Sequence, residues 1–306
     1  MQFSIYQESR RGARRSNQDR LAYCYSKNAL LMLVADGMGG HLHGEIAAQT
    51  AVQFITQTFR REAKPALSNP AQFLRRSMSG AHQAIIARAA RSGLPEAPRT
   101  TCVACVVQDG AACWAHAGDS RLYHIRDGRI LAQTKDHTRV QQLVDQGRIR
   151  EEAVAAHPER NQVFSCLGSA RTPQVDLSEA VELRASDILM LCSDGLWSPL
   201  SSKTISSAVL KSGIMRAVPE LLDEAERRAG RECDNLSVIA VDWEEDTHTA
   251  RPEQVPTGGT PPYSAAPAPR ERGAADAQGG YLSDDDIERA IERIHNAIKG
   301  HSNGKT

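Results

Sequence analysis

The chain has 306 residues, 41% hydrophobic and 24% charged, with 37 basic side chains against 37 acidic ones. That length and composition suit a globular protein with one substantial core. The zero net charge argues against a nucleic-acid or anionic-membrane partner, since nothing supplies a broad positive field, and no apolar run reaches the roughly 20 residues of a membrane span.

Residues 1–19 lack the positive-then-apolar layout of an export signal, so a cytoplasmic location is expected. The cysteines number seven and are scattered through apolar stretches, which fits buried thiols in a reducing compartment. Cys102 and Cys105 form a CxxC, but "TCVACVV" reads as a strand, on which residues three apart face opposite ways. No second cysteine pair completes a zinc set.

In chain order, "QFSIYQES" and "LAYCYSKNALLMLVAD" read as strands, the second a hairpin turning at Lys27-Asn28. "GEIAAQTAVQFITQTFRRE" and "PAQFLRRSMSGAHQAIIARAARSG" carry apolar residues at helical spacing. Strands follow in "TTCVACVVQ", "AACWAHAGD" and "RLYHIRDGRILAQ", the last with an Asp127-Gly128 hairpin turn. "TRVQQLVDQGRI" reads as a helix, "HPERNQVFSCLGS" as irregular chain, and "QVDLSEAVEL" and "DILMLCSDG" as strands. Two helical stretches across 199–229 precede a final strand, "NLSVIAVDW". Grouped strands and grouped helices predict an α+β fold with antiparallel sheets and helices outside them.

Residues 1–243 thus read as one domain. Residues 244–280 hold six of the fourteen prolines and almost no large aliphatics, which predicts a disordered linker. Residues 281–300 predict a short helix: Ser283 and Asp286 make a capping-box-like start, and Ile287, Ile291, Ile294 and Ile298 form one apolar stripe. A helix this short needs a surface, on its own domain or on a partner.

"LLMLVADGMGGHLHGE" carries an apolar run straight to Asp36 and then frees the backbone with glycines. Asp119, Asp194 and Asp234 likewise sit at the tips of apolar strands, and Asp19 lies just before one. Taken singly, each reads as a turn residue. Together, if the sheets bring the tips to one end, they form a set of carboxylates that repel one another unless cations intervene. An all-oxygen set selects Mg²⁺ or Mn²⁺ over zinc. Two such ions can share a hydroxide nucleophile and clamp a phosphoryl group.

These residues sit in motifs that resemble the PPM (type 2C) metal-dependent Ser/Thr protein phosphatases in their compact bacterial form. In order, from about Gln7 to Val241, the motifs are "GARRSNQD", "VADGMGGHLHGE", "RTTCV", "AHAGDSRLY", "KDHT", "ERNQVFSCLG", "LCSDGLW" and "CDNLSVIAV". The resemblance implies an α-β-β-α sandwich of two antiparallel sheets flanked by helix pairs. It implies Mn²⁺ or Mg²⁺, two ions with a third weaker one, and hydrolysis of phosphoserine and phosphothreonine by in-line attack of a metal-bridging hydroxide.

By the same resemblance, Asp36 bridges both metals and the Gly37 carbonyl completes the first site. Asp194 and Asp234, with Asn235 beside them, serve the second. Asp19 holds metal-bound water, and Asp119 with Asp194 holds the third ion. Arg14 matches the arginine that grips the substrate phosphate, and residues 139–166 match the flap beside the site. Met38 replaces the histidine that eukaryotic members place two residues after the bridging aspartate. The proton donor is then His41 or a water on the third metal, while His43, His116 and His137 are assigned to packing or loop hydrogen bonding.

The implied partners are phosphoproteins and a cognate Ser/Thr kinase or its target, the latter recruited by residues 281–300, with the enzyme itself a monomer. Two rivals are a catalytically inactive binding module on the same fold and a phosphatase of a phosphorylated anti-sigma-factor antagonist. The first is disfavoured because every metal-ligand position is filled, the second because such relatives carry sensor domains.

Overall fold

Every residue of Ala29–Ala35 (β3) is apolar, and every one is buried. Alternate side chains of a strand point to opposite faces, so this strand is covered on both. Leu30, Met32 and Val34 enter one cluster, and Leu31, Leu33 and Ala35 another. The computed structural model describes residues 1–38, 43–150, 153–154 and 157–244.

One sheet orders β10 (Asp176–Leu177), β7 (Ala111–Ala117), β6 (Cys102–Gln108), β3 and β2 (Arg20–Tyr25), with β11 (Val181–Glu182) also on β7. The other orders β1 (Gln2–Arg10), β13 (Leu236–Glu244), β12 (Ile188–Cys192), β8 (Arg121–Arg126) and β9 (Arg129–Gln133). All neighbours in both sheets are antiparallel.

Three apolar layers hold the stack. Leu122, Leu189, Leu191, Ile239 and Val241 meet Leu30, Met32 and Val34 between the sheets. Helices α1 (Gly44–Glu62) and α2 (Pro70–Arg91) cover the outer face of the first sheet. Helices α5 (Ser202–Ser212) and α6 (Ile214–Ala229) cover that of the second. This is the expected sandwich of two antiparallel sheets flanked by helix pairs. Cys102 packs in the helix-side layer and Cys105 between the sheets, as strand alternation requires, and all seven cysteines are free and buried.

Local differences from the sequence reading have simple causes. The stretch read as one strand over 174–183 is two two-residue strands on β7, because the chain between them carries one residue more than the segment of β7 it spans, and there the Ser178 hydroxyl replaces the backbone in bonding the Trp114 amide. A two-stranded ribbon of β4 (Gly37–Met38) and β5 (Arg99–Thr100) lies next to Asp36. The helix read over 138–149 is α3 (Arg139–Asp145), capped by the Thr138 hydroxyl. The linker and terminal helix expected over 244–280 and 281–300 lie outside the described residues but for Glu244, which ends β13. No helix among the described residues is long and apolar enough to cross a membrane.

Candidate active site

The ends of β3 and β2 face those of β12 and β13, and a hydroxyl joins them. Ser193, after β12, donates from Oγ to Asp19 Oδ2 at 2.7 Å and accepts the Ser237 amide at 2.9 Å. Asp19 is thereby held at 2% exposure between the two sheets.

Asp36 leaves β3 with its backbone clamped. Its carbonyl accepts the Thr101 amide at 2.9 Å and the Thr100 hydroxyl at 2.8 Å. Its amide donates to Thr101 Oγ1 at 3.3 Å, and that oxygen also bonds Ser120 Oγ at 2.7 Å. The carboxylate takes no part in this clamp. Gly37 packs directly on the start of α1: a Cβ there would lie 2.5 Å from the Gly44 backbone and 2.7 Å from the Gln18 carbonyl.

Asp119 lies in the β7–β8 turn, 5% exposed, and its carbonyl accepts the Trp197 indole N–H at 2.9 Å. Asp194 opens α4 (Asp194–Trp197) directly after β12. Asp234 precedes β13 and bonds Arg14 Nη2 at 2.5 Å.

The electrostatics show that these acids converge. Burial, and then the charges of Asp19, Asp194, Asp119 and Asp234, push Asp36 well above the usual carboxylate range. Burial, then Asp119, Asp234 and Asp19, does the same to Asp194. Asp119 is pushed up to about 7, by burial first and Asp136 second. Asp19 is pushed up to about 6, chiefly by burial. Asp19 Oδ1 and Asp194 Oδ1 are buried with no hydrogen-bond partner. Buried acceptors are normally satisfied. Orphaned carboxylate oxygens inside a cluster of mutually repelling acids fit hard divalent cations, which would satisfy the lone pairs and remove the repulsion.

Arg14 sits on the loop between β1 and β2, with 57% of its side chain exposed at the mouth of this cluster. The loop is held down by Asn235. Its Nδ2 donates to the carbonyls of Arg11 and Ser16 at 2.8 and 3.0 Å, and its Oδ1 accepts the Gln18 amide at 2.8 Å. Gly12, at φ +60, allows the contact: a Cβ there would lie 2.1 Å from the Asp234 carbonyl. This corrects the reading of Asn235 as a metal ligand. Both of its donors and its acceptor are engaged by the loop, so its task is to position Arg14 and Gln18.

His41, with Gly39 and Gly40, lies outside the described residues. His43 has a left-handed backbone, φ 101, where the chain enters α1. His116 donates to the Lys135 carbonyl at 2.8 Å, and His137 Nδ1 accepts the Gly118 amide at 3.2 Å. The two rings stack at 4.5 Å beside Asp176, where they brace the corner before α3. Thr100, Thr101, Ser193 and Trp197 support the site without having been singled out. "RTTCV" and "LCSDGLW" contained them, but a strand hydroxyl looks the same in a sequence whatever it bonds.

Residues 7–229 match the protein phosphatase 2C family. The serine/threonine protein phosphatase PstP of Mycobacterium tuberculosis is 34% identical over 235 residues, 76% of this chain and 44% of that protein. A putative protein phosphatase 2C-type from Streptococcus pyogenes is 31% identical over 230 residues, 74% of this chain and 92% of that protein. The solved catalytic domain of PstP, in complex with two manganese ions, shares 31% identity at a TM-score of 0.67 over 79% of this chain and 99% of that one. The chain belongs to the protein phosphatase 2C family. It spans less than half, 44%, of the mycobacterial relative it matches.

Proposed function

We propose that this protein removes phosphate from phosphoserine and phosphothreonine in proteins, with two Mn²⁺ or Mg²⁺ ions and a weaker third. The observation that carries this reading is the convergence of five buried or half-buried carboxylates at facing strand ends, two of them with orphaned oxygens. Family membership and the manganese complex of PstP support it.

In this reading Asp36, the Gly37 carbonyl, Asp194 and Asp234 would hold the two principal ions. Asp19, its carboxylate oriented by the Ser193 hydroxyl, would hold water at that site. Asp119 and Asp194 take the third ion. Bound there, the cations would activate water and neutralise charge on the phosphoryl group. Arg14 orients the substrate. Its guanidinium exchanges the Asp234 carboxylate for two phosphate oxygens, a bidentate grip that fixes phosphorus for in-line displacement. Met38 offers no proton to the departing serine or threonine oxygen, so His41, or water that a third ion would supply, would take that role.

Alanine at Asp36, Asp194 or Asp234 should each abolish hydrolysis of a phosphothreonine peptide. Residual rates above about a tenth in all three variants would end the two-metal assignment.

The substrates are phosphoproteins made by a Ser/Thr kinase, and seven unpaired buried thiols suit a reducing cytoplasm. Residues 281–300 are proposed to recruit the kinase or its target along the isoleucine stripe, with the linker raising effective concentration. Full activity on physiological substrate by a chain ending at Trp243 would count against that role.

A further inference from the structure

A second chamber adjoins the catalytic cleft, and the reading above gives it no task. The cleft encloses about 300 Å³ and is lined by Arg14, Asp194 and Asp234 among others. The chamber encloses about 360 Å³, in the range of built ligand pockets. Arg160, Asn161, Ser198 and Pro199 line both, so a chain lying across the cleft passes directly into the chamber.

Its chemistry differs from that of the cleft. Val140 of α3, with Pro199 and Leu200 after α4, supplies apolar walls. Arg121 and Asp136 also line it, and their charges cancel each other. The guanidinium meets the carboxylate through Nε and Nη2 at 2.8 and 2.7 Å and lies 3.6 Å over the Trp197 ring. These side chains are only 14% and 6% exposed. A basic guest would gain no partner from this neutralised pair, would lose its hydration and would meet the exposed Arg160 on the wall shared with the cleft. An apolar guest would cover the half-buried Val154, Pro199 and Trp197, while Val140 and Leu200, each 2% exposed, back the wall.

We propose that this chamber is a subsite for an apolar side chain of the phosphopeptide, close in sequence to the phosphorylated residue. The inference rests on the reading of the adjoining cleft as the phosphatase site. An extended peptide advances about 3.3–3.6 Å per residue, so an adjoining chamber falls to a side chain about one to three positions away. The subsite also touches the chemistry. Trp197, which lines it, donates its indole N–H to the Asp119 carbonyl at 2.9 Å, so a seated side chain presses on a residue that holds the acid cluster.

The test uses the full chain with Mn²⁺, a small aryl phosphate, and phosphothreonine peptides of glycine and alanine. Each peptide carries a single leucine at one position within three residues of the phosphothreonine, and one control has none. Leucine at a favoured position should raise kcat/KM about tenfold through KM. Gln141→Trp, a half-buried position on the chamber wall, should bring that ratio close to one. With EDTA to stop turnover, the favoured leucine peptide should shift the emission of Trp197, since Trp114 and Trp243 are buried between the sheets. Equal rates for leucine at every position, or a preference untouched by Gln141→Trp, would overturn the proposal. If neither the aryl phosphate nor any peptide is hydrolysed, the phosphatase reading fails. The emission arm then decides the subsite alone: a shift with leucine supports it and no shift overturns it.

Discussion

Asp36 is held by its backbone, and its carboxylate takes no part in that clamp. Asn235 shows the opposite arrangement, a side chain wholly consumed in holding a loop. Arg14 stands between them, on the loop that Asn235 fixes and bonded to Asp234. Arg14→Ala should lower kcat/KM on a phosphothreonine peptide by about a hundredfold, the cost of one strong contact to the transferred group. Arg14→Lys should recover only part of that, because an ammonium cannot make the bidentate grip. Mn²⁺ binding should survive both changes, and steady-state kinetics beside a metal titration would show it. An unchanged kcat/KM in Arg14→Ala would remove the residue from the mechanism. The aspartates were legible because an acid that ends an apolar run stands out. Ser193 and Thr101 were not, because their roles depend on partners 174 and 65 residues away in the chain.

At the scale of elements, β3, β6 and β12 were legible because both faces are covered and their sequences run apolar with hardly a break, whereas β1 and β9 alternate between half-buried and exposed residues. The two-residue strands were not, since no periodicity fits in so short a span. One of them, β5, is functionally important. Its Thr100, with Thr101 just beyond it, clamps the Asp36 backbone and sets where the carboxylate points. Thr101→Val keeps the shape but removes the hydroxyl shared by Asp36 and Ser120. Leaving buried polar groups unsatisfied costs about 1–3 kcal/mol. For a domain of this size that lowers the melting temperature by roughly 2–4 °C per kcal/mol. A melt should show that drop together with reduced turnover, and an unchanged melting temperature would mean that the clamp is dispensable. Strand order was the least legible feature, because β1 pairs with β13 from the opposite end of the domain. The sandwich came from the motif resemblance rather than from periodicity.

At the scale of the whole molecule, the two sheets meet at a cluster of like charges, so the proposed metal binding should be linked to stability. Asp19 and Asp119 titrate at about 6 and about 7 in the fold, above an ordinary 3.8, because burial disfavours their charged forms. The metal-free fold therefore holds protons that the unfolded chain has released. On account of these groups its stability is highest below about pH 4 and falls as pH rises through 6 and 7. The melting temperature of EDTA-treated protein should drop by several degrees between pH 5 and pH 8. Mn²⁺ at pH 8 should restore it, since a ligand that binds only the folded state stabilises that state. A metal-free protein equally stable across that range, and indifferent to Mn²⁺, would mean that the acids are compensated in some other way.

The most direct test of the central claim is phosphate release from a phosphothreonine peptide by the full chain. It should be measured with Mn²⁺, with excess EDTA, and after Mn²⁺ is restored, with Asp194→Ala run alongside. We expect turnover with metal, none with EDTA, recovery on restoration, and no turnover in the variant under any condition. Turnover that persists in EDTA, or in Asp194→Ala at the wild-type rate, would contradict a metal-dependent phosphatase built on these strand-end aspartates.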